Sequence, residues 1–131
     1  QKFLRLAKPC YCSEAIHSQY LYAQNARPSD AAIIISYSGC TQEMIHCAQQ
    51  LCEQKTPIIA ITRFYNSPLA RLATRCLFVA NEENLFRSGA MSSRISQLNM
   101  VDILYTAYLN RNFDNNTQRL ECNRIPKSKS D

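Results

Sequence analysis

Three short runs of apolar, mostly β-branched residues constrain this chain more than any other feature. They are Ala31-Ala-Ile-Ile-Ile-Ser36, Pro57-Ile-Ile-Ala-Ile-Thr62 and Cys76-Leu-Phe-Val-Ala80. Hydrophobicity that continues without alternation is expected of strands buried on both faces of a parallel sheet. Pro9-Cys-Tyr-Cys12 is a weaker fourth strand candidate. Helical patterns separate the runs. From Thr41 to Gln54, Met44, Ile45, Ala48, Leu51 and Cys52 share one face, with Thr41 as the expected N-cap and Glu43 in the first turn. Ser67-Pro68 pairs a capping hydroxyl with proline at the first helical position. Ser13 to Ala26 and a longer stretch from Ser88 to Asn110 complete the set. Strands alternating with helices imply an α/β fold, a parallel sheet with right-handed crossovers and helices on both faces, in three α-β-α layers.

In such sheets a ligand sits beyond the carboxyl ends of the strands, which selects the loops after Ser36, Thr62 and Ala80. The first of these is the richest in chemistry. Ser36-Tyr37-Ser38-Gly39-Cys40-Thr41 packs three hydroxyls around a glycine and runs straight into a helix. A helix start presents unpaired N–H groups and partial positive charge, Gly39 lets the backbone approach an anion closely, and Ser36, Ser38 and Thr41 add hydroxyl donors. The pattern suits a phosphate, with a plain turn and cap as the alternative. The chain has only two glycines, so neither a G-x-G-x-x-G nor a Walker loop fits, and no nucleotide cofactor is expected.

Other classes are disfavoured. Seven cysteines include no Cys-x-x-Cys, and His17 and His46 stand at no zinc spacing from them, so no metal is expected. Cys47, Cys52 and Cys76 fall at apolar positions and read as small core residues of a reducing cytoplasm. The formal charge of +5 owes part of its excess to the last fourteen residues, and no basic stripe with interleaved aromatics accompanies it. The longest apolar run falls far short of the roughly 20 residues of a membrane helix, and no secretory leader is visible. Composition, 46% hydrophobic and 19% charged, is that of a soluble globular protein. A start at Gln1 rather than Met makes an excised piece of something longer the expectation.

The string Ser36-x-Ser38-Gly39-x-Thr41-x-Glu43 after a buried strand resembles the phosphate loop of the sugar isomerase (SIS) domain. Ile59-Ala-Ile-Thr62 followed by Ser67-Pro68-Leu69-Ala70 resembles that family's next strand, loop and helix start. Glu82-Glu83, then Arg87-Ser88-Gly89-Ala90-Met91-Ser92-Ser93-Arg94-Ile95 and Val101 to Tyr105, are similar to the closing helix of RpiR-type bacterial transcriptional regulators. The resemblance implies a flavodoxin-like SIS fold over residues 1–117, followed by a basic, disordered tail over 118–131. It implies phosphate binding at Ser36, Tyr37 (through its backbone), Ser38, Gly39 and Thr41, with Glu83, Ser93 and Arg94 near the sugar hydroxyls. The fold would lack its first strand, and Gln1-Lys-Phe-Leu-Arg-Leu6 resembles the end of the helix that follows it.

The function so implied is that of a cytoplasmic sugar-phosphate sensor. It would act on DNA through an N-terminal helix-turn-helix domain outside this chain, and would associate with itself as a homodimer or higher oligomer. Isomerisation needs a base over a carbon acid, for which Glu82, Glu83, His17 and His46 are the candidates. His46 falls opposite the inward stripe, Cys40 reads as a backbone donor, and Asp102 as a structural hydrogen-bonding group. No catalytic residue is therefore assigned. An SIS-type sugar-phosphate isomerase or amino-sugar-phosphate lyase is the alternative, and a partner-binding domain built on the long helix is a third reading.

Overall fold

The computed structural model describes residues 2–63, 66–79 and 91–124. In chain order these form α1 (Lys2–Arg5), α2 (Ile16–Gln24), β1 (Ala32–Ile35), α3 (Gln42–Glu53), β2 (Ile58–Arg63), α4 (Pro68–Leu72), β3 (Arg75–Val79), α5 (Met91–Arg111) and α6 (Phe113–Cys122). The chain divides into two compact units, one of residues 12–100 and one made from its two ends, 1–11 and 101–131. Helix α5 contributes to both.

In the first unit the three strands pair in parallel in the order β1-β2-β3. Ile34 stands opposite Ala60, and Ala60 opposite Cys76. These neighbours share a face with Ile58 and pack on Ala23 of α2, Cys47, Ala48 and Leu51 of α3, and Leu69 of α4. Each fully buried Ile or Leu here contributes about 1.5–3 kcal/mol of transfer free energy. Position in the sheet decides which strands are covered. β2 is flanked on both sides and is buried on both faces, with Ile58, Ala60, Ile61 and Thr62 all at 1% exposure or less. β1 pairs only with β2 among the described residues, and it departs from the expectation of burial on both faces. Ile34 is buried, whereas Ile33 and Ile35 are 39% and 43% exposed. Pro9 to Cys12 forms no strand and is exposed along its length.

The capping signals are realised in detail. Ser67 Oγ accepts from the Ala70 amide with Pro68 at the first helical position. Helix α3 closes on a paired C-terminal motif: the Lys55 amide donates to Cys52 O and the Thr56 amide to Leu51 O, with Lys55 at φ 57°. Of the cysteines expected in the core, Cys47 is buried and Cys76 half-buried, and burial raises both thiols above their ordinary pKa. Cys52 is instead exposed, since the buried stripe of α3 runs through Cys47, Ala48 and Leu51 and leaves Cys52 at its edge.

The second unit is helical. The ring of Phe3 meets the Tyr105 and Tyr108 rings edge-on at 5.7 and 6.2 Å. Lys2 pairs with Asp102, and Leu6 is fully buried. Helix α6 runs to Cys122, so the start of the stretch expected to be a disordered tail is ordered helix. Its anchor is Asn116, 5% exposed, whose Nδ2 donates to the carbonyls of Tyr108 and Leu109. Among the described residues no helix is long and apolar enough to cross a membrane.

Candidate phosphate-binding loop

The loop joining β1 to α3 leaves the sheet at Ser36, whose amide still pairs with Ile61 O at 3.0 Å. The chain then turns sharply. Gly39 N donates to Ser36 O at 3.1 Å, and Gly39 adopts φ 65°, in the left-handed region where a side chain is costly. Space forbids a side chain there as well. A Cβ on Gly39 would lie 2.1 Å from Ser67 Oγ and 2.6 Å from Ser67 Cβ. The glycine is thus required twice, by its backbone angle and by the side chain packed against it.

The neighbouring loop holds this turn in place. Tyr37 O accepts from the Arg63 amide at 3.0 Å and from Thr62 Oγ1 at 3.1 Å, and Gly39 O accepts from the Leu69 amide at 3.1 Å. Thr62 and Ser67 are both fully buried. The Arg63 guanidinium lies 6.0 Å from the centre of the Tyr37 ring. The pattern Ile59-Ala-Ile-Thr62 with Ser67-Pro68 is legible in the sequence as strand and cap, but its clamp on Gly39 is a tertiary contact with no sequence signal of its own.

The hydroxyls are arranged among themselves. Ser36 Oγ and Thr41 Oγ1 stand 3.2 Å apart, and Ser38 Oγ accepts from the Cys40 amide at 3.2 Å. One hydroxyl of the Ser36–Thr41 pair donates to the other, so one proton of the pair remains to donate elsewhere, and the Ser38 proton is likewise uncommitted. Thr41 is the N-cap residue of α3 by backbone position, yet its side chain makes no bond to the first-turn amides. The first backbone bond of this helix runs from Ile45 N to Thr41 O, leaving the earlier N–H groups without a cap. Helix start, hydroxyls and glycine turn are therefore gathered in one place, with no acidic side chain inside the loop. Glu43 in the first turn is exposed.

The remaining candidates are placed as follows. Ser93 and Arg94 lie near the start of α5, half-buried and exposed respectively. Glu82, Glu83 and the stretch Arg87 to Ala90 lie outside the described residues. His17 is exposed, and His46 is exposed with its ring 5.0 Å from that of Tyr20. Asp102 is exposed and pairs with Lys2. Among the described residues no group of three or more His, Cys, Asp or Glu is placed to hold a metal ion.

The family profile described as the SIS domain matches residues 1–107. The chain belongs to the SIS-domain family. An uncharacterized HTH-type transcriptional regulator of Caldanaerobacter subterraneus subsp. tengcongensis is 39% identical over 120 residues, covering 92% of this chain and 43% of the relative. This SIS domain thus spans less than half the length of that curated relative. Among solved structures it is similar to the Vibrio vulnificus NanR protein complexed with ManNAc-6P, with a TM-score of 0.81 and 27% identity, covering 92% of this chain and 45% of that one. It shares its fold with the sugar isomerase domain of the RpiR transcription factor from Sphaerobacter thermophilus, with a TM-score of 0.72 and 19% identity, covering 95% of this chain and 68% of that one. The α/β fold with its parallel sheet, the SIS resemblance read from Ser36 to Glu43, and the RpiR-type resemblance read from Glu82 to Tyr105 agree with these likenesses.

Proposed function

We propose that this SIS domain is the sugar-phosphate-sensing part of a helix-turn-helix transcriptional regulator and holds the ligand's phosphate at Ser36, Tyr37, Ser38, Gly39 and Thr41. The observation that carries the reading is the uncapped start of α3 beside a glycine turn locked by Thr62 and Ser67. A rigid cluster of N–H and O–H donors costs little reorganisation when an anion arrives. The ManNAc-6P of the NanR complex makes an N-acetylhexosamine 6-phosphate a reasonable first ligand to try. In this reading Glu83, Ser93 and Arg94 contact the sugar hydroxyls. DNA is bound by a domain outside this chain, in the cytoplasm, and a strand preceding β1 completes the sheet and the pocket. Self-association draws support from Ile95 and Leu98 on α5, which are 64% and 66% exposed.

A sensor is preferred to an isomerase because the relatives are regulators. The test is a thermal-shift and calorimetric titration of the full-length protein with hexose and N-acetylhexosamine 6-phosphates against the unphosphorylated sugars. A phosphosugar at 100 times its Kd stabilises the fold by about 2.7 kcal/mol. The Ser36→Ala/Ser38→Ala variant loses affinity by about tenfold or more, as expected for hydrogen bonds to a charged group worth about 1.5–3 kcal/mol each. An unchanged affinity in that variant, or turnover of the sugar phosphate by the wild type, sinks the reading.

A further inference from the structure

A concavity lies within the helical unit, built from Lys8 of the N-terminal segment and from residues of α5 and α6. Its volume is about 400 Å³, within the range of small-ligand sites. Three cations line it, Lys8, Arg111 and Arg119, together with Asn112, Asn115 and Asn116, and among the described residues no carboxylate does. Three positive groups from separate segments repel one another, and the fold nevertheless holds two of them in place. Lys8 Nζ rests 5.8 Å from the centre of the Tyr108 ring, and Arg119 Nη1 donates to Leu6 O at 3.4 Å. The C-terminal dipole of α5 accounts for Arg111, in the last turn of that helix, but not for Lys8 and Arg119 converging on it.

The wall between these cations is neutral and rich in donors. Buried Asn116 is fixed by its two bonds to α5 carbonyls, and the Asn112 side chain caps nothing at the start of α6.

We propose that this concavity binds a small multiply charged phosphate compound of the diphosphate kind, at a site separate from the Ser36–Thr41 loop. Its two or more negative charges offset the repulsion among Lys8, Arg111 and Arg119, and guanidinium forks match phosphate oxygens in pairs. The asparagine amides supply further donors without a competing carboxylate.

The experiment is calorimetric titration of the full-length protein with inorganic pyrophosphate at constant ionic strength, so that screening is equal throughout. The expected result is saturable binding that weakens about tenfold in Lys8→Gln and again in Arg111→Gln, and that persists in Ser36→Ala/Ser38→Ala. Both cations are exposed, so these variants retain the fold, and an unchanged melting temperature without ligand verifies it. Three results overturn the proposal: no saturable binding, binding indifferent to Lys8→Gln and Arg111→Gln, or binding abolished by the double serine variant. The last of these places the anion in the phosphate loop, so this proposal and the proposed sensor function fail on different variants.

Discussion

Gly39 is where backbone and packing make the same demand. Replacing it with alanine sets a Cβ at φ 65° and 2.1 Å from Ser67 Oγ, so Ser67 or the turn must move. We expect Gly39→Ala to cost at least about 2–3 kcal/mol of stability, from strain and overpacking together, and to weaken phosphosugar binding further than either single serine variant. Denaturant unfolding and titration measure the two effects. Ser67→Ala removes the nearer atom, Oγ, and with it the bond to Ala70 N, but leaves the residue-67 Cβ 2.6 Å from the new Cβ, so we expect the double variant to recover little of the loss in binding. At the same scale, burial holds the Cys47 and Cys76 thiols above their ordinary pKa. The unfolded chain therefore releases these protons first as pH rises, and the stabilisation, fully present at neutral pH, declines above about pH 8.5. Paired Cys47→Ala and Cys76→Ala substitutions flatten that alkaline limb of the stability curve. A limb identical to the wild type's refutes the attribution.

Lys55 ends α3 in a left-handed conformation that glycine adopts without a Cβ penalty. The amides of Lys55 and Thr56 already satisfy the carbonyls of Cys52 and Leu51, so the substitution disturbs no bond. We expect Lys55→Gly to stabilise the domain by about 0.5–1 kcal/mol, read as a raised denaturation midpoint with an unchanged slope. What was legible in the sequence divides along similar physical lines. Strands β1 to β3 and the Ser67-Pro68 cap could be read because local composition determines them. Helix α6 could not, because Phe113 to Cys122 is polar and owes its order to Asn116 reaching the carbonyls of Tyr108 and Leu109. Ile33 and Ile35 misled for the opposite reason: a run of isoleucine looks the same whether its strand is central or at an edge. The phosphate loop was visible as a hydroxyl-rich turn before a helix. The pairing of Ser36 with Thr41, and the clamp from Thr62 and Ser67, depend on contacts between segments 20 or more residues apart or on side-chain rotamers.

At the scale of the whole protein, the proposed function is a statement about coupling, and coupling is reciprocal. If a phosphosugar at the Ser36–Thr41 loop changes operator affinity by some factor, operator DNA must change phosphosugar affinity by the same factor. Typical couplings of 1–3 kcal/mol correspond to factors of roughly 5 to 150, well within the reach of titration. The rigid attachment of the loop indicates where such coupling enters. Gly39 O is bonded to Leu69 N at the start of α4, and Tyr37 O to Thr62 and Arg63 at the end of β2, so an anion drawn into the loop acts on two further elements. We therefore expect Thr62→Val, which keeps the shape of the side chain but removes its bond to Tyr37 O, to reduce the coupling factor more than it reduces phosphosugar affinity itself. Measuring phosphosugar affinity with and without operator DNA, in wild type and in Thr62→Val, separates the two quantities. Equal loss in both places Thr62 in binding alone, and a wild-type factor of one in both directions shows that the loop binds its ligand without informing the DNA-binding domain.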